Sequence, residues 1–283
     1  PMFTPGACCF IDISGSFPST FLHIKSRSST GPTIIMSEGK LRVLLLHGYA
    51  MNQTSFRRRI AALQKSCRDV AEFVFANGPH HVPTLPSESN PDPLPPNPDD
   101  PPEKQARAWF MSREGKYIGW GVTAAYLTEF IREHGPFDGV IGFSQGACLS
   151  GILTAAAEHP DRIPEVSEPI LTQPFRFAIS ISGFRAADPK FDPLYSEPIQ
   201  TPVLMIHGEN DSIVTNQRAQ TLIDRCHNLR VLRHPGEHYV PTSAPWRRFI
   251  HDLLVSFVQN DHDAWRAMPS PLDEENVQAS NKL

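Results

Sequence analysis

Six short apolar runs, separated by stretches of helical periodicity or turn-forming residues, limit what this chain can fold into more than any other feature. The runs are 41–46, 73–76, 137–143, 177–181, 203–206 and 229–232. Several end on turn residues: His47-Gly48, Asn77-Gly78-Pro79, Ser182-Gly183, His207-Gly208 and His234-Pro235-Gly236. Between them, 52–67 places Phe56, Ile60 and Leu63 at helical spacing, and helical patterns fill 122–134, 145–159, 215–227 and 246–258. Strands that are apolar throughout, rather than alternating, are buried on both faces, and helices between them supply the crossovers of a parallel sheet. The pattern predicts an α/β fold: a mostly parallel central sheet with helices on both faces. Such sheets bind ligands beyond the carboxyl ends of their strands, so the chemistry belongs at the ends of these runs.

That domain is expected to span 37–260. Residues 1–36 are rich in Ser, Thr, Pro and Gly, poor in acids, and lack the continuous apolar core of a secretory signal. They read as an N-terminal extension, disordered or a leader, with Met36 a candidate natural start. Residues 80–102 are too dense in Pro, Asp, Asn and Ser for a helix or a central strand and read as a long loop near the site. From Asp261 to the end the chain reads as a polar tail.

The composition excludes several classes. A net charge of −4 over 283 residues offers no electrostatic footprint for nucleic acid or anionic membrane. The run Arg57-Arg58-Arg59 reads as the wet face of a helix. No stretch approaches the roughly 20 apolar residues of a membrane span. Cys8, Cys9, Cys67, Cys148 and Cys226 are scattered, without a CxxC pair, which suits a reducing, cytoplasmic setting. Cys148, one helical turn after Ser144, reads as a small buried apolar side chain. No His, Asp or Glu cluster has metal-ligand spacing, and neither a metal nor another cofactor is expected.

Gly142-Phe143-Ser144-Gln145-Gly146 fits the G-x-S-x-G nucleophile elbow, and its context is the required one: the apolar Val140-Ile141 before it and the helical Ala147-Cys148-Leu149 after it. The elbow turns so sharply that side chains beside the serine would collide, hence the glycines. A serine needs a base to take its proton and an acid to fix the tautomer of that base. In the α/β-hydrolase order these follow as acid, then histidine. Asp211 follows the fifth run and is preferred over Glu209. His238 follows the last run and is preferred over His234, because Pro235-Gly236 makes a turn that would deliver it to the site. His47 and His207 read as loop braces. The oxyanion donors are expected to be the backbone N–H of Gln145 and that of Tyr49, in the loop after the first run, with Ala50 as the substitute.

With these residues in place, the chain resembles the fungal family of serine hydrolases (FSH), a group that also includes the animal ovarian-cancer-associated hydrolase and thioesterases of fungal polyketide clusters. The resemblance is carried by Leu46-His47-Gly48-Tyr49 with Asn52, by Arg107-Ala108-Trp109-Phe110, and by the run from Gly135 to Ala147. It continues through Ile181-Ser182-Gly183-Phe184, His207-Gly208 with Asp211, and His234-Pro235-Gly236 with His238, Val240 and Pro241. The resemblance implies an α/β-hydrolase fold, triad roles for Ser144, Asp211 and His238, and an acyl pocket lined by the aromatic motif at Trp109 and Phe110. Glu237 stands where the family usually has a small residue, and a carboxylate there would disfavour an anionic substrate.

The function expected is hydrolysis of carboxylic esters of medium or long acyl chains through an acyl-enzyme. The alternative is a thioesterase that releases a polyketide or fatty acyl group from coenzyme A or an acyl carrier domain. Both take a small-molecule ester or thioester, and both use the same residues. A hydrolase fold kept as a ligand receptor is a third reading; such proteins commonly lose a triad member, and all three are present here.

Overall fold

The computed structural model describes residues 39–86, 91–97, 99–261 and 263–273. The extension read at 1–36, with Cys8, Cys9 and Met36, lies outside them, as do 274–283 of the tail. Among the described residues the central sheet has six strands, all paired in parallel: β1 (Leu41–Leu46), β2 (Ala71–Phe75), β3 (Gly139–Phe143), β4 (Phe177–Ile181), β5 (Val203–Gly208) and β6 (Leu229–His234). The spatial order is β6-β5-β4-β3-β1-β2. The order therefore reverses direction between β1 and β3, which is the switch point where loops splay and a crevice opens.

Seven helices among the described residues accompany the sheet: α1 (Gln53–Arg59), α2 (Ala61–Cys67), α3 (Trp120–His134), α4 (Gln145–Glu158), α5 (Asn216–Ile223), α6 (Ala244–Val258) and α7 (Ala264–Ala267). The period-2 alternation of side chains along each strand divides the core between the two faces. Leu44, Leu46, Val140 and Met205 join Leu127, Leu149 and Leu153 of α3 and α4 in one cluster. Val43, Leu45, Ile141, Ile179 and Ile206 join Leu63 of α2 and Phe249, Leu253 and Phe257 of α6 in the other. No helix among the described residues is long and apolar enough to cross a membrane.

Two expectations change. The helix read over 52–67 is broken at Ile60, whose backbone (φ −106°, ψ 17°) separates α1 from α2. The apolar spacing continues across the break, which is why the pattern alone did not show it. The polar tail also begins later than Asp261: α7 buries Trp265, 1% exposed, with its ring 6.5 Å from that of Phe257. Met268 and Leu272 pack against the same core, and the Arg230 guanidinium donates to the carbonyls of Trp265 and Met268. Among the described residues of the loop read over 80–102 there is no central strand; His80–His81 pairs with Arg107–Ala108 as a two-stranded piece. Its far end is tied down by Asn52, whose Nδ2 donates to the carbonyls of Glu103 (3.0 Å) and Gln105 (2.9 Å) while its Oδ1 caps α1 through the Ser55 N–H.

Candidate active site

The elbow between β3 and α4 is fixed by steric exclusion. A Cβ on Gly142 would stand 2.2 Å from the Gly146 carbonyl oxygen, and one on Gly146 would stand 2.1 Å from that of Leu46. With glycine two residues away on either side, Ser144 adopts φ 55° and ψ −116°, a backbone that side chains rarely tolerate. Its N–H donates to the Ile181 carbonyl across the sheet edge (2.9 Å), so the strained turn is anchored on β4. The serine thus sits at the N-terminal end of α4, where the helix presents unpaired N–H groups and partial positive charge.

The ends of β5 and β6 bring up its partners. His238 Nε2 lies 2.9 Å from Ser144 Oγ, and His238 Nδ1 lies 2.7 Å from Asp211 Oδ2. Asp211 can only accept as a carboxylate, so Nδ1 carries the imidazole proton and Nε2 is left to accept from the serine hydroxyl. Asp211 Oδ1 is held by the N–H groups of Val214 (2.7 Å) and Ile213 (3.0 Å). Burial opposes its ionisation, but the bonds from His238 and Val214 outweigh that and hold its carboxyl below the usual range. Gly208 makes the meeting possible: a Cβ there would be 2.3 Å from the Glu237 carbonyl oxygen, so only glycine lets the histidine loop close on β5. The alternatives sit elsewhere. His234 is buried against Tyr239, with its Nδ1 accepting from the Gly236 N–H (3.2 Å), and Glu209 faces solvent.

The loop after β1 closes the other side. Gly48 is packed so tightly that an added Cβ would be 3.2 Å from the Phe143 ring and 3.3 Å from Met51 Sδ, beside Ser144. His47 is the brace read from the sequence: Nδ1 donates to the Gly48 carbonyl (2.8 Å) and Nε2 accepts from the Gly78 N–H (2.8 Å). Burial, with Arg107 adding to it and the Gly48 bond opposing it, depresses His47 to about 4. The imidazole is therefore neutral and structural. Ala50, in the same loop, also carries a positive φ of 57°.

Gln145 does more than lend its N–H. Its Oε1 accepts from the Trp109 N–H (2.9 Å) and its Nε2 donates to the Phe110 carbonyl (2.7 Å), while the Trp109 indole donates to the His47 carbonyl (2.8 Å). This chain of bonds locks the elbow, the aromatic motif and the β1 loop together. It also corrects the pocket reading: Trp109 is fully buried behind the site, and its ring faces His47 at 4.9 Å. Phe110 does line the cavity. That cavity, about 340 Å³, opens on Ser144 and is walled by Phe110, Tyr117, Phe184, Ile213, Val214 and Arg218 among others. Glu237 is exposed and does not reach it.

The sequence reading missed the Gln145 side chain, Tyr117, Phe184, Ile213 and Arg218. Phe184 stood in a motif without a role; for Arg218 no local signal exists. Cys148 lies beneath the floor, 3.8 Å from the Tyr117 hydroxyl, and burial pushes its thiol up to about 12, far from nucleophilic use. Among the described residues no group of His, Cys, Asp and Glu is placed to hold a metal.

Residues 36–250 match the family model described as Serine hydrolase (FSH1). The chain is 32% identical over 236 residues to the zebrafish (Danio rerio) Esterase OVCA2, covering 78% of this chain and 100% of that protein. It is 34% identical over 232 residues to a Schizosaccharomyces pombe protein named dihydrofolate reductase, covering 76% of this chain but only 47% of that relative, so it spans about half that protein's length. The solved structure of Zea mays acyl-protein thioesterase 2 is 18% identical with a TM-score of 0.50, covering 79% and 96% of the two chains, a likeness of fold. The chain is an ester-hydrolysing enzyme of α/β-hydrolase fold and belongs to the serine hydrolase (FSH1) family.

Proposed function

We propose that the enzyme cleaves carboxylic esters of medium or long acyl chains, with Ser144 as nucleophile, His238 as general base and Asp211 as the acid that orients it. The observation that carries this reading is the unbroken line of contacts, 2.9 Å from serine to imidazole and 2.7 Å from imidazole to carboxylate. His238 Nε2 takes the hydroxyl proton as Ser144 Oγ attacks the ester carbonyl, and Asp211 stabilises the imidazolium. The tetrahedral oxyanion is received by the N–H groups of Gln145 and Tyr49, a pair whose loss of one member typically costs about 3 kcal/mol of barrier lowering. Collapse of the intermediate expels the alcohol, protonated by His238. A water activated by the same imidazole then releases the acid from Ser144.

The apolar walls of the 340 Å³ cavity support an acyl chain of medium length or longer. The free Cys67, Cys148 and Cys226 support a reducing, cytoplasmic setting. The test is fluorophosphonate labelling of wild type and Ser144→Ala, together with turnover of p-nitrophenyl esters of graded chain length. Labelling that vanishes in the variant, with a maximum at one chain length, is the expected result. A folded wild type that neither labels nor turns over any ester sinks the reading. Turnover of an oxygen ester against the thioester of the same acyl chain separates esterase from thioesterase.

A further inference from the structure

The cavity beside Ser144 contains a charge that ester cleavage by itself does not need. Arg218 is the one charged side chain among those lining it; the other walls are aromatic, aliphatic or neutral polar. It stands on the first turns of α5, which begins directly after the Asp211–Val214 loop. Its guanidinium lies 3.6 Å over the ring of Phe184, which pins it to the cavity wall. Its hydrogen bonding is sparse: Nη1 makes one long bond, 3.4 Å, to the Ile213 carbonyl.

No carboxylate among the described residues answers that charge. Asp192 pairs with Arg185 at 3.1 Å, Glu165 with Lys190 at 2.9 Å, and buried Asp188 lies between Lys116 and Lys190. Asp211 is turned to His238. Arg218 also acts inward: burial is the main force raising the Tyr117 hydroxyl and the Cys148 thiol beneath the floor, and the Arg218 charge pulls both the other way. A planar fork of five donors, stacked on an aromatic ring and short of acceptors, is built for a carboxylate or phosphate. The expectation that Glu237 turns anions away loses its ground, since Glu237 is outside the cavity.

We propose that Arg218 is a specificity residue that binds an anionic group of the substrate, so that the site takes esters or thioesters bearing a carboxylate or phosphate on the acyl chain or on the leaving group. The inference rests on the esterase reading and narrows its substrate class: Phe110, Tyr117, Phe184 and Val214 hold methylenes, and Arg218 holds the anion beyond them. Two sources share this chemistry, an acyl chain ending in a carboxylate and a leaving group carrying phosphate.

The test compares kcat/KM in wild type, Arg218→Ala, Arg218→Glu and Arg218→Lys over two substrate pairs. The first pair is a p-nitrophenyl ester of an ω-carboxylated chain against its methyl-terminated equivalent. The second is an acyl-coenzyme A against the same acyl group on N-acetylcysteamine. The expected result is a preference for the charged member of one pair. That preference falls about tenfold in Arg218→Ala, falls further in Arg218→Glu, is largely kept in Arg218→Lys and weakens with added salt. The first pair responding assigns the anion to the acyl chain, and the second assigns it to the leaving group. Equal charged-to-neutral ratios in wild type, Arg218→Ala and Arg218→Glu, with Ser144-dependent turnover intact, would overturn the inference and leave the esterase reading standing. Absence of all Ser144-dependent turnover in wild type would remove both.

Discussion

The elbow edge and the cavity wall lie within one site yet are held in place by different physics. At the elbow, backbone meets backbone: glycine Cβ positions fall 2.1–2.3 Å from carbonyl oxygens at Gly142, Gly146 and Gly208, so the geometry is set by what cannot fit. At the wall, separate segments meet through side chains. The hairpin Met111–Arg113 with Lys116–Ile118 is pinned by Asp188, which accepts from the Tyr117 N–H (2.7 Å), and Tyr117 stacks on Phe110 at 4.0 Å. In the proposed function the first region fixes the reacting atoms, and the second decides what is brought to them. Substitutions in the two should therefore fail in different ways.

The largest failure belongs to the elbow. Gly146→Ala places a methyl 2.1 Å from the Leu46 oxygen and 2.5 Å from the His47 oxygen, both backbone atoms that cannot swing away. Relief requires β1 and α4 to part, a cost of more than about 4 kcal/mol. We expect no folded, fluorophosphonate-reactive protein. A cooperative thermal transition near that of wild type would mean that the edge is softer than these distances imply.

The same contrast explains what the sequence disclosed. Backbone exclusion leaves a local signature, because glycines must stand at fixed offsets from the residue they serve. Gly142-x-Ser144-x-Gly146 and His207-Gly208 could be read directly, and strand ends ordered along the chain pointed to Asp211 and His238, which the fold brings into one hydrogen-bonded line with Ser144. Side-chain meetings leave none. Tyr117 and Asp188, or Phe184 and Arg218, are joined only once the chain has folded, and no spacing encodes their contact. Trp109 was misplaced for a related reason: an aromatic pair next to a motif shows that two rings are wanted, but not which one faces the ligand. Ile60 was missed because a helix break that keeps its apolar register does not disturb the periodicity.

Gln145 belongs to both regions. Gln145→Ala keeps the backbone N–H proposed for the oxyanion but leaves the buried Trp109 N–H and Phe110 carbonyl unpaired. At roughly 1–3 kcal/mol for each orphaned group, urea denaturation should show a loss of about 4 kcal/mol. Gln145→Glu discriminates further: a carboxylate still accepts from Trp109 but sets a buried, unpaired charge against the Phe110 carbonyl oxygen, and should be at least as unstable as Gln145→Ala at neutral pH. Equal stability of all three would show that the clamp contributes nothing to the joint between elbow and wall.

A somewhat smaller effect is expected from His47, through pH. In the folded protein it stays neutral down to about 4, whereas in the unfolded chain it titrates near 6.5. Below 6.5 the unfolded state takes up a proton that the folded state refuses, so stability falls with falling pH across that window. The group is fully buried, and the total is about 3 kcal/mol at pH 4 relative to pH 7. His47→Gln keeps a donor and an acceptor in place without a titrating ring. The difference between wild-type and variant urea midpoints should shrink steadily from pH 7 to pH 4. A pH-independent difference would place the origin of acid sensitivity elsewhere.

The smallest effect tests the wall alone. Ile213 lines the cavity yet is 60% exposed, an apolar side chain left at the mouth without a covering neighbour. Its truncation removes little buried surface, so Ile213→Ala should change stability by less than about 0.5 kcal/mol. Its N–H, which holds Asp211 Oδ1 at 3.0 Å, is untouched by the substitution. What is lost is a surface on which an acyl chain can rest. At about 0.8 kcal/mol for one methylene no longer covered, the ratio of kcat/KM for the longest to the shortest accepted ester should drop about fourfold. A drop shared equally by short and long esters would tie Ile213 to the geometry of Asp211 rather than to chain length. The boundary between the two regions would then run on the cavity side of the acid loop, with Ile213 counted among the residues that fix the reacting atoms.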